Sequence, residues 1–281
     1  MAKAEKKLKG WGFMGNKYED AQDLLEKAAN LYKVAKAWAK AASTFEKLSE
    51  IYVKLDSKHE AAQAYVDAAN AYKKIDTGAA IASLERAVDA FVDMGRLAMA
   101  AKHYKDIAEL YEGQSTGDDE DARKACEFYE KAADLYKDEE QTSSANQCYL
   151  KFAQFSAELG DYKAAIGCYE TVAKNSLGNN LLKYSVKDYL FNAGLCQIIN
   201  TGAEQARESV DRYRDMDPTF DDQRQCKLLL DILDAMDEGD LALFTQKTKE
   251  YDAISRFDKF KLSLMLKIKK KVEEGEEEDL T

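Results

Sequence analysis

The side chains that most often carry out chemistry in proteins are few in this sequence and lie far apart. Its 281 residues include two histidines, His59 and His103, and neither belongs to an HxxxH, HExxH or Cys/His spacing that could hold zinc. The sequence also lacks a Walker loop for nucleotide phosphates. We therefore expect no catalytic residue, no metal site and no cofactor, and a protein that is not an enzyme.

The cysteines are spread 20 to 30 residues apart, and no two of them form a CxxC pair. They are Cys126, Cys148, Cys168, Cys196 and Cys226. An odd number of scattered cysteines is typical of reduced thiols that pack as small apolar side chains. We expect neither disulfides nor zinc ligation, as in a cytoplasmic protein.

The overall charge and hydropathy exclude several classes of function. The formal net charge is −11, whereas nucleic-acid-binding proteins typically carry an excess of basic residues. The first residues lead into no apolar signal segment, and no apolar run approaches the roughly 20 residues that span a bilayer. These features predict a cytoplasmic protein with no transmembrane helix.

The elements that must position any functional residue are predicted by one recurring pattern. Apolar residues at i, i+3 and i+7, which share one face of an α-helix, recur seven times at steps of 20, 20, 19, 20, 25 and 20 residues. The units are Leu25-Ala28-Tyr32, Phe45-Leu48-Tyr52, Tyr65-Ala68-Tyr72, Leu84-Ala87-Phe91, Tyr104-Ile107-Tyr111, Tyr129-Ala132-Tyr136 and Tyr149-Phe152. Two such helices make a hairpin of about 40 residues, close to the repeat length of tetratricopeptide-like arrays.

The predicted fold is therefore all-α, a tetratricopeptide-like array of antiparallel helical hairpins with a C-terminal helical bundle. Residues 1–175 form the array and carry an apolar N-terminal loop, residues 176–272 form closing hairpins and the bundle, and residues 273–281 form an acidic tail. Ser57 and Glu60 have the spacing of a capping box at one helix start. Residues 113–121 supply the extra length of the 25-residue step and are expected to form a surface loop.

Two sets of residues have open interpretations from the pattern alone. Trp11, Phe13 and Met14 are separated by glycines and follow a lysine-rich start, which suits either insertion at an anionic membrane surface or folding back on the first hairpin. Basic residues across the middle of the chain are either a scattered set or one surface that attracts an acidic, elongated partner. The basic residues are Lys73, Lys74, Arg96, Lys102, Lys151, Lys183 and Lys187.

Six segments, spread in order over nearly the whole chain, resemble the soluble NSF attachment protein family, most of all its alpha type. They are residues 57–62 (SKHEAA), 91–96 (FVDMGR), 100–103 (AAKH), 182–189 (LKYSVKDY), 249–256 (KEYDAISR) and 277–280 (EEDL). The resemblance implies an adaptor that links SNARE complexes to the hexameric ATPase NSF. It further implies a twisted sheet of helical hairpins, a protein that is a monomer in solution, and several copies around each four-helix SNARE bundle.

The resemblance also assigns roles to particular residues. The seven basic residues match family positions that contact SNARE proteins, and a further basic position of the family falls on Gln147 here. Trp11, Phe13 and Met14 match the membrane loop of the family, which implies peripheral association with membranes. Asp234, Asp237 and Glu238 match acids that face the ATPase. Leu280 matches a penultimate leucine needed for ATPase stimulation, and Thr281 follows it where an arginine is usual.

An alternative interpretation is a passive tetratricopeptide-like scaffold that binds a peptide terminus of a chaperone or another partner. Such a domain needs a compact basic clamp for a carboxylate, together with a groove. The wide spacing of the basic residues favours the SNARE adaptor.

Overall fold

The structure, a computed structural model, describes residues 14–114 and 119–279, and the side chains of residues 17–114 and 119–275. Over these ranges it is helical, with thirteen α-helices, two short 3-10 helices and no strand. This confirms the all-α prediction. The α-helices are α1 (Met14–Val34), α2 (Trp38–Lys54), α3 (Lys58–Tyr72), α4 (Thr77–Asp93), α5 (Leu97–Gln114), α6 (Asp119–Asp138), α7 (Thr142–Glu158), α8 (Tyr162–Leu177), α9 (Val186–Thr201), α10 (Ala203–Met216), α11 (Arg224–Asp237), α12 (Leu241–Ile254) and α13 (Lys259–Asp279).

The chain divides within α7 into two compact units, Met1–Cys148 and Tyr149–Thr281. In the first unit each helix from α1 to α5 packs against the next one. The apolar stripe forms its core, since Leu25, Leu84, Ile107 and Tyr129 are at most 1% exposed. The domain boundaries at residues 175 and 272 stay predictions.

Most turns between these helices share one backbone motif. The amide of Ala37 donates to the carbonyl of Tyr32 at 2.9 Å, and the amide of Gln141 donates to that of Tyr136 at 2.8 Å. These six-to-one bonds mark Schellman turns, which need a left-handed residue just after the helix. The left-handed residues are Lys36, Asp56, Gly95, Glu140, Gly160 and Gly239, with φ between 54° and 90°. The repeat of the turns thus follows the repeat of the stripe.

Several helix starts are capped by aspartates. Asp76, Asp161 and Asp240 each accept a hydrogen bond from the backbone amide three residues on, at 2.8 to 3.0 Å. Ser57 occupies the N-cap position of α3, but its side chain makes no capping hydrogen bond. The predicted capping box at Ser57 and Glu60 is therefore wrong in its side-chain contacts, although the helix begins where it was expected.

The second unit is organised around α9, which packs against α8, α10, α11 and α13. Because it is covered on several sides, α9 is apolar around much of its circumference, with Leu190, Leu195 and Ile198 fully buried. A Cβ on Gly194 would lie 2.6 Å from Leu229 Cδ1, so a glycine permits α9 to approach α11 closely.

Three features of the helices differ from the sequence interpretation. The sequence pattern does not predict α10, whose core residues Ala206, Ser209, Val210 and Tyr213 have helical spacing but are mostly small or polar. Helix α13 continues through the acidic segment to Asp279. The loop predicted at residues 113–121 is shorter, because α5 extends to Gln114 and α6 begins at Asp119.

Candidate binding surfaces

Four of the predicted SNARE-binding residues belong to the first unit. Lys73 and Lys74 follow α3, Arg96 precedes α5, and Lys102 lies on α5. Lys73 is half-buried and the other three residues are exposed. Such a set of cations at helix ends and on a helix surface can attract an anionic partner without forming a pocket.

Asp106 links two of these lysines electrostatically. Burial alone would raise the pKa of the Asp106 carboxyl, but the hydrogen bond with His103 and the charges of Lys73 and Lys102 together lower it. Both ammonium groups therefore act on one carboxylate, which places Lys73 and Lys102 in the same region of the first unit. Asp106 also offsets part of their positive charge.

The two histidines flank a single phenylalanine. The ring of His103 stacks on Phe91 with the centroids 5.6 Å apart, and the ring of His59 meets Phe91 edge-on at 6.1 Å. His103 is 4% exposed, and its Nδ1 lies 2.9 Å from Asp106 Oδ2. These contacts assign both imidazoles a packing role, and they show that His59 and His103 lie closer together than their sequence separation suggests.

The other three predicted SNARE-binding residues belong to the second unit. Lys151 lies on α7, Lys183 begins the 3-10 helix Lys183–Ser185, and Lys187 lies in the first turn of α9. The ammonium of Lys183 lies 5.6 Å from the centroid of the Tyr184 ring.

Two large apolar side chains beside Lys183 were not identified from the sequence. Leu181 is 86% exposed and Tyr184 is 73% exposed. Their position next to lysines combines exposed apolar area with positive charge, as binding surfaces often do. The segment between α8 and α9 fits no repeat unit, and this irregularity is the sequence signal that could have identified them.

Two of the three acids assigned to the ATPase form ion pairs with one arginine. Arg207 Nη2 on α10 lies 3.0 Å from Asp234 Oδ1 and 2.6 Å from Asp237 Oδ2 on α11. The hydrogen bond to Asp237, followed by that to Asp234, raises the pKa of the guanidinium. Glu238 is exposed at the C-cap of α11. Sequence analysis did not identify Arg207, which is 27 and 30 residues away from its two partners.

The terminal site residues fall at or beyond the edge of the described residues. Trp11, Phe13 and Leu280 lie outside them. Met14 is the first residue of α1, so the helix includes the last part of the predicted apolar loop. The membrane and ATPase roles of these residues stay predictions.

Three cysteines are buried in environments that keep the thiol protonated. Burial raises the pKa of Cys148 to about 11, that of Cys196 to about 12 and that of Cys226 to about 11. A thiol with such a pKa is a poor nucleophile at neutral pH, because the thiolate is the reactive form.

Of two short matches to catalytic motifs, one follows a helix where the motif requires a strand, and the other falls mostly outside the described residues. Residues 10–15 read GxGxxG and residues 113–117 read GxSxG. Both motifs function at a turn between a strand and a helix. Ser115 instead directly follows a helix, α5. The described parts of the chain hold no strand, no group of three or more potential metal ligands, and no helix able to cross a membrane.

Comparison with known proteins shows similarity to one protein family along nearly the whole chain. The family model described as "Soluble NSF attachment protein, SNAP" matches residues 1–273. An alpha-soluble NSF attachment protein of Vitis vinifera is 50% identical over 99% of this chain and 96% of its own length. The alpha-soluble NSF attachment protein of Homo sapiens is 42% identical over 100% of this chain and 95% of its own. A probable vesicular-fusion protein sec17 homolog of Neurospora crassa is 37% identical over 98% of this chain and 96% of its own length.

Among solved structures, the chain is similar to a signal-transduction ATPase with a tetratricopeptide repeat sensor from Pyrococcus horikoshii. The TM-score is 0.51 at 14% identity, over 92% of this chain and 41% of that one. At this identity the similarity shows the fold alone, and it confirms the tetratricopeptide-like arrangement of the helices.

Proposed function

Because the chain belongs to the soluble NSF attachment protein family, we propose that it is an adaptor in vesicle fusion and intracellular protein transport. It binds SNARE complexes through basic residues, recruits the ATPase NSF through its C-terminal region, and stimulates ATP-driven SNARE disassembly. The observation that carries this proposal is the match of the family model to residues 1–273.

The basic residues support SNARE binding by electrostatic attraction. Lys74, Arg96 and Lys102 in the first unit and Lys183 in the second are exposed. Attraction between exposed charges steers association and tolerates small shifts of one partner along the other. A protein that must hold a helical bundle while an ATPase separates its strands benefits from such a contact. The exposed Leu181 and Tyr184 add apolar area beside Lys183.

The C-terminal region supports contact with the ATPase. Asp234, Asp237 and Glu238 follow one another at the end of α11 and are exposed. Their charges suit a partner surface that is rich in arginine or lysine. Leu280, at the end of the acidic segment, would add an apolar anchor that stimulates ATP hydrolysis by the partner.

Membrane contact by Trp11, Phe13 and Met14 would give peripheral association of a cytoplasmic protein with membranes. Such contact would raise the local concentration of the adaptor near membrane-anchored SNARE complexes, so that two weak contacts act as a strong one. The proposed protein is a monomer in solution, binds no nucleic acid, performs no chemistry of its own and leaves ATP hydrolysis to its partner.

The test is reconstituted SNARE disassembly with ATP, NSF and this chain, at two ionic strengths. Disassembly should require the chain and should slow at the higher ionic strength, because salt screens exposed charges. The double variant Lys102→Glu, Lys151→Glu reverses one lysine in each unit and should abolish disassembly, with an unchanged circular dichroism spectrum. Normal disassembly by this variant would refute the basic contact, and ATP-driven disassembly without the chain would refute the adaptor role.

A further inference from the structure

The end of α1 and the start of α2 carry an unusual local charge for this acidic chain. Residues 27–45 contain no aspartate or glutamate, whereas the whole chain has a net charge of −11. Their four lysines are Lys27, Lys33, Lys36 and Lys40. All four are exposed, and Lys33 also lies 3.9 Å from Asp67. This region is thus positively charged in a protein that elsewhere carries an excess of acids.

Two aliphatic side chains project from the same region. Leu31 is 69% exposed and Val34 is 83% exposed, although both lie in the last two turns of α1. The opposite side of α1 is the core side, where Ala21, Leu25 and Ala29 are at most 1% exposed. The exposed pair is therefore on the outer face of the helix and adds nothing to the core.

We propose that this surface, Leu31 and Val34 with Lys27, Lys33, Lys36 and Lys40, binds an anionic lipid bilayer. Exposed aliphatic side chains at a helix end can enter the interfacial region of a bilayer, while lysines extend to the lipid phosphates around them. Each lysine near an anionic membrane contributes attraction that weakens with distance and with salt.

Charge argues against one alternative occupant, the N-terminal segment of the same chain. That segment carries Lys3, Lys6, Lys7 and Lys9, so it has the same sign as the surface. A phospholipid surface of negative charge is complementary in both sign and polarity, since it offers anionic headgroups above an apolar interior.

The proposed contact is separate from the apolar loop at the start of the chain. Helix α1 runs from Met14 to Val34, so its two ends are about 30 Å apart. Asp20 and Asp23 lie on the outer face of the first half of α1, where they would be repelled by anionic lipid. Of these two helices, only the C-terminal end of α1, the following turn and the start of α2 are therefore expected to touch the bilayer.

The experiment measures co-flotation of the full chain with vesicles of phosphatidylcholine alone or with added phosphatidylserine. The assay contains neither SNARE proteins nor the ATPase, so its outcome is independent of the adaptor function. Two variants address the surface: Leu31→Asn with Val34→Asn, and Lys36→Glu with Lys40→Glu. Matched controls are Ile254→Asn, at a position 64% exposed in the second unit, and Lys137→Glu at an exposed position of α6.

Each surface variant should bind phosphatidylserine-containing vesicles about tenfold more weakly than the unmodified chain, and the binding of the lysine variant should depend less on salt. The controls should bind normally. The variant Trp11→Ser, Phe13→Ser should bind vesicles more weakly but keep a residual binding, and adding Leu31→Asn with Val34→Asn should reduce that residual binding. Vesicle binding that both surface variants leave unchanged would overturn the proposal.

Two other outcomes would also overturn it. Light scattering could show a dimer that the Leu31 and Val34 variant dissociates, with vesicle binding intact, which would assign the surface to a second copy of the chain. Alternatively, the lysine variant could lose binding to a soluble SNARE bundle while keeping vesicle binding, which would assign the surface to an acidic protein.

Discussion

Arg207 sets the charge of the surface that is proposed to meet the ATPase. Its guanidinium bridges Asp234 and Asp237, so two carboxylates share one positive charge. A basic partner must therefore compete with Arg207 for these acids or bind the oxygens that Arg207 leaves accessible. The arginine can either shield the acids or hold them in place, and the two roles predict opposite effects of its removal.

We expect Arg207→Ala to strengthen binding of NSF several-fold at low salt, because two exposed carboxylates lose their counter-charge. The free energy of unfolding should change by less than about 1 kcal/mol, since exposed ion pairs contribute little to stability. Binding affinity measured over a salt series gives both the gain and its steeper salt dependence. Arg214→Ala is the matched control, because Arg214 lies on the same helix and pairs with Asp211 and Asp221 instead. Weaker binding by Arg207→Ala would show that the arginine positions the acids.

Asp106 makes the stability of the first unit depend on pH. Burial raises the pKa of this carboxyl, but the hydrogen bond with His103 and the nearby Lys73 and Lys102 lower it by more, so the folded state favours the carboxylate. A carboxyl whose pKa is lower in the folded state stabilises the fold above its unfolded pKa of about 4, and this stabilisation is lost as the pH falls through its folded pKa.

Asp106→Asn should therefore lower the free energy of unfolding at pH 7 by about 1 kcal/mol, the typical net value of a hydrogen bond. The difference from the unmodified chain should shrink as the pH falls from about 4 through the lowered folded pKa of Asp106, because below that pKa both side chains are neutral. Urea unfolding at several pH values measures it. Asp89→Asn changes an exposed aspartate on α4 and should have little effect at any pH. An equal loss of stability at pH 3 and pH 7 would contradict this electrostatic explanation.

At the scale of the helices, hydrogen bonds between tyrosine hydroxyls and glutamates join neighbouring helices. Tyr72 on α3 donates to Glu46 on α2 at 3.0 Å, and Tyr52 on α2 donates to Glu26 on α1. Tyr72 lies 20 positions after Tyr52, and Glu46 lies 20 positions after Glu26, so the bond repeats with the 20-residue period. Burial and the adjacent Glu46 raise the pKa of Tyr72, so its phenol remains a donor at neutral pH.

Tyr72→Phe should destabilise the first unit by about 1 kcal/mol, because Glu46 loses its donor while the ring remains in place. Equilibrium unfolding in urea provides the measurement. Tyr184→Phe serves as the control, since Tyr184 is 73% exposed. Equal unfolding midpoints for Tyr72→Phe and the unmodified chain would show that water replaces the hydrogen bond at no cost.

The left-handed residues in the turns between helices allow a second prediction at this scale, about backbone strain. Glu140 has a φ of 56°, in the left-handed region where a side chain costs about 1–2 kcal/mol. Gly95 occupies the corresponding position of another turn, with a φ of 66° and no strain.

Glu140→Gly should raise the free energy of unfolding by about 1 kcal/mol, less than the full cost of strain because glycine also gains freedom in the unfolded chain. The reverse change, Gly95→Ala, should lower it by a similar amount. Thermal and urea unfolding of both variants measure the two effects. A loss of stability in Glu140→Gly would mean that the glutamate side chain contributes more than its backbone strain costs.

At the scale of the whole molecule, the proposed function separates into contacts carried by different parts of the chain. The proposed SNARE contact uses lysines of both units, whereas ATPase stimulation is assigned to the C-terminal end. This separation predicts that one activity can be lost without the other.

Leu280→Ala should leave binding to SNARE complexes unchanged and should reduce ATPase stimulation to less than about half, because it removes only the proposed apolar anchor. Pull-down of SNARE complexes and phosphate release by NSF measure the two activities on the same preparation. Thr281→Ala, at the next residue, is the control. Equal stimulation by Leu280→Ala and the unmodified chain would remove this leucine from the proposed function.

The sequence by itself determined the helical repeat and the family. The i, i+3, i+7 stripe identifies buried faces such as Leu84 and Ile107 because helix periodicity is local, and residues seven apart always share a face. Segments that resemble the family lie in order along the chain, so they could be recognised without coordinates. Helix α10 was missed because its core residues Ala206 and Ser209 are small or polar, so they interrupt the apolar i, i+3, i+7 pattern.

Only the tertiary structure decided which charges act together. Arg207 meets Asp234 and Asp237, and both Lys73 and Lys102 act on Asp106, through the packing of helices that are distant in sequence. Likewise, the exposure of Leu31 and Val34 follows from the side on which α2 packs against α1. Helix periodicity fixes which residues share a face, but side-chain contacts across helices depend on their crossing and register, and only the folded chain sets these.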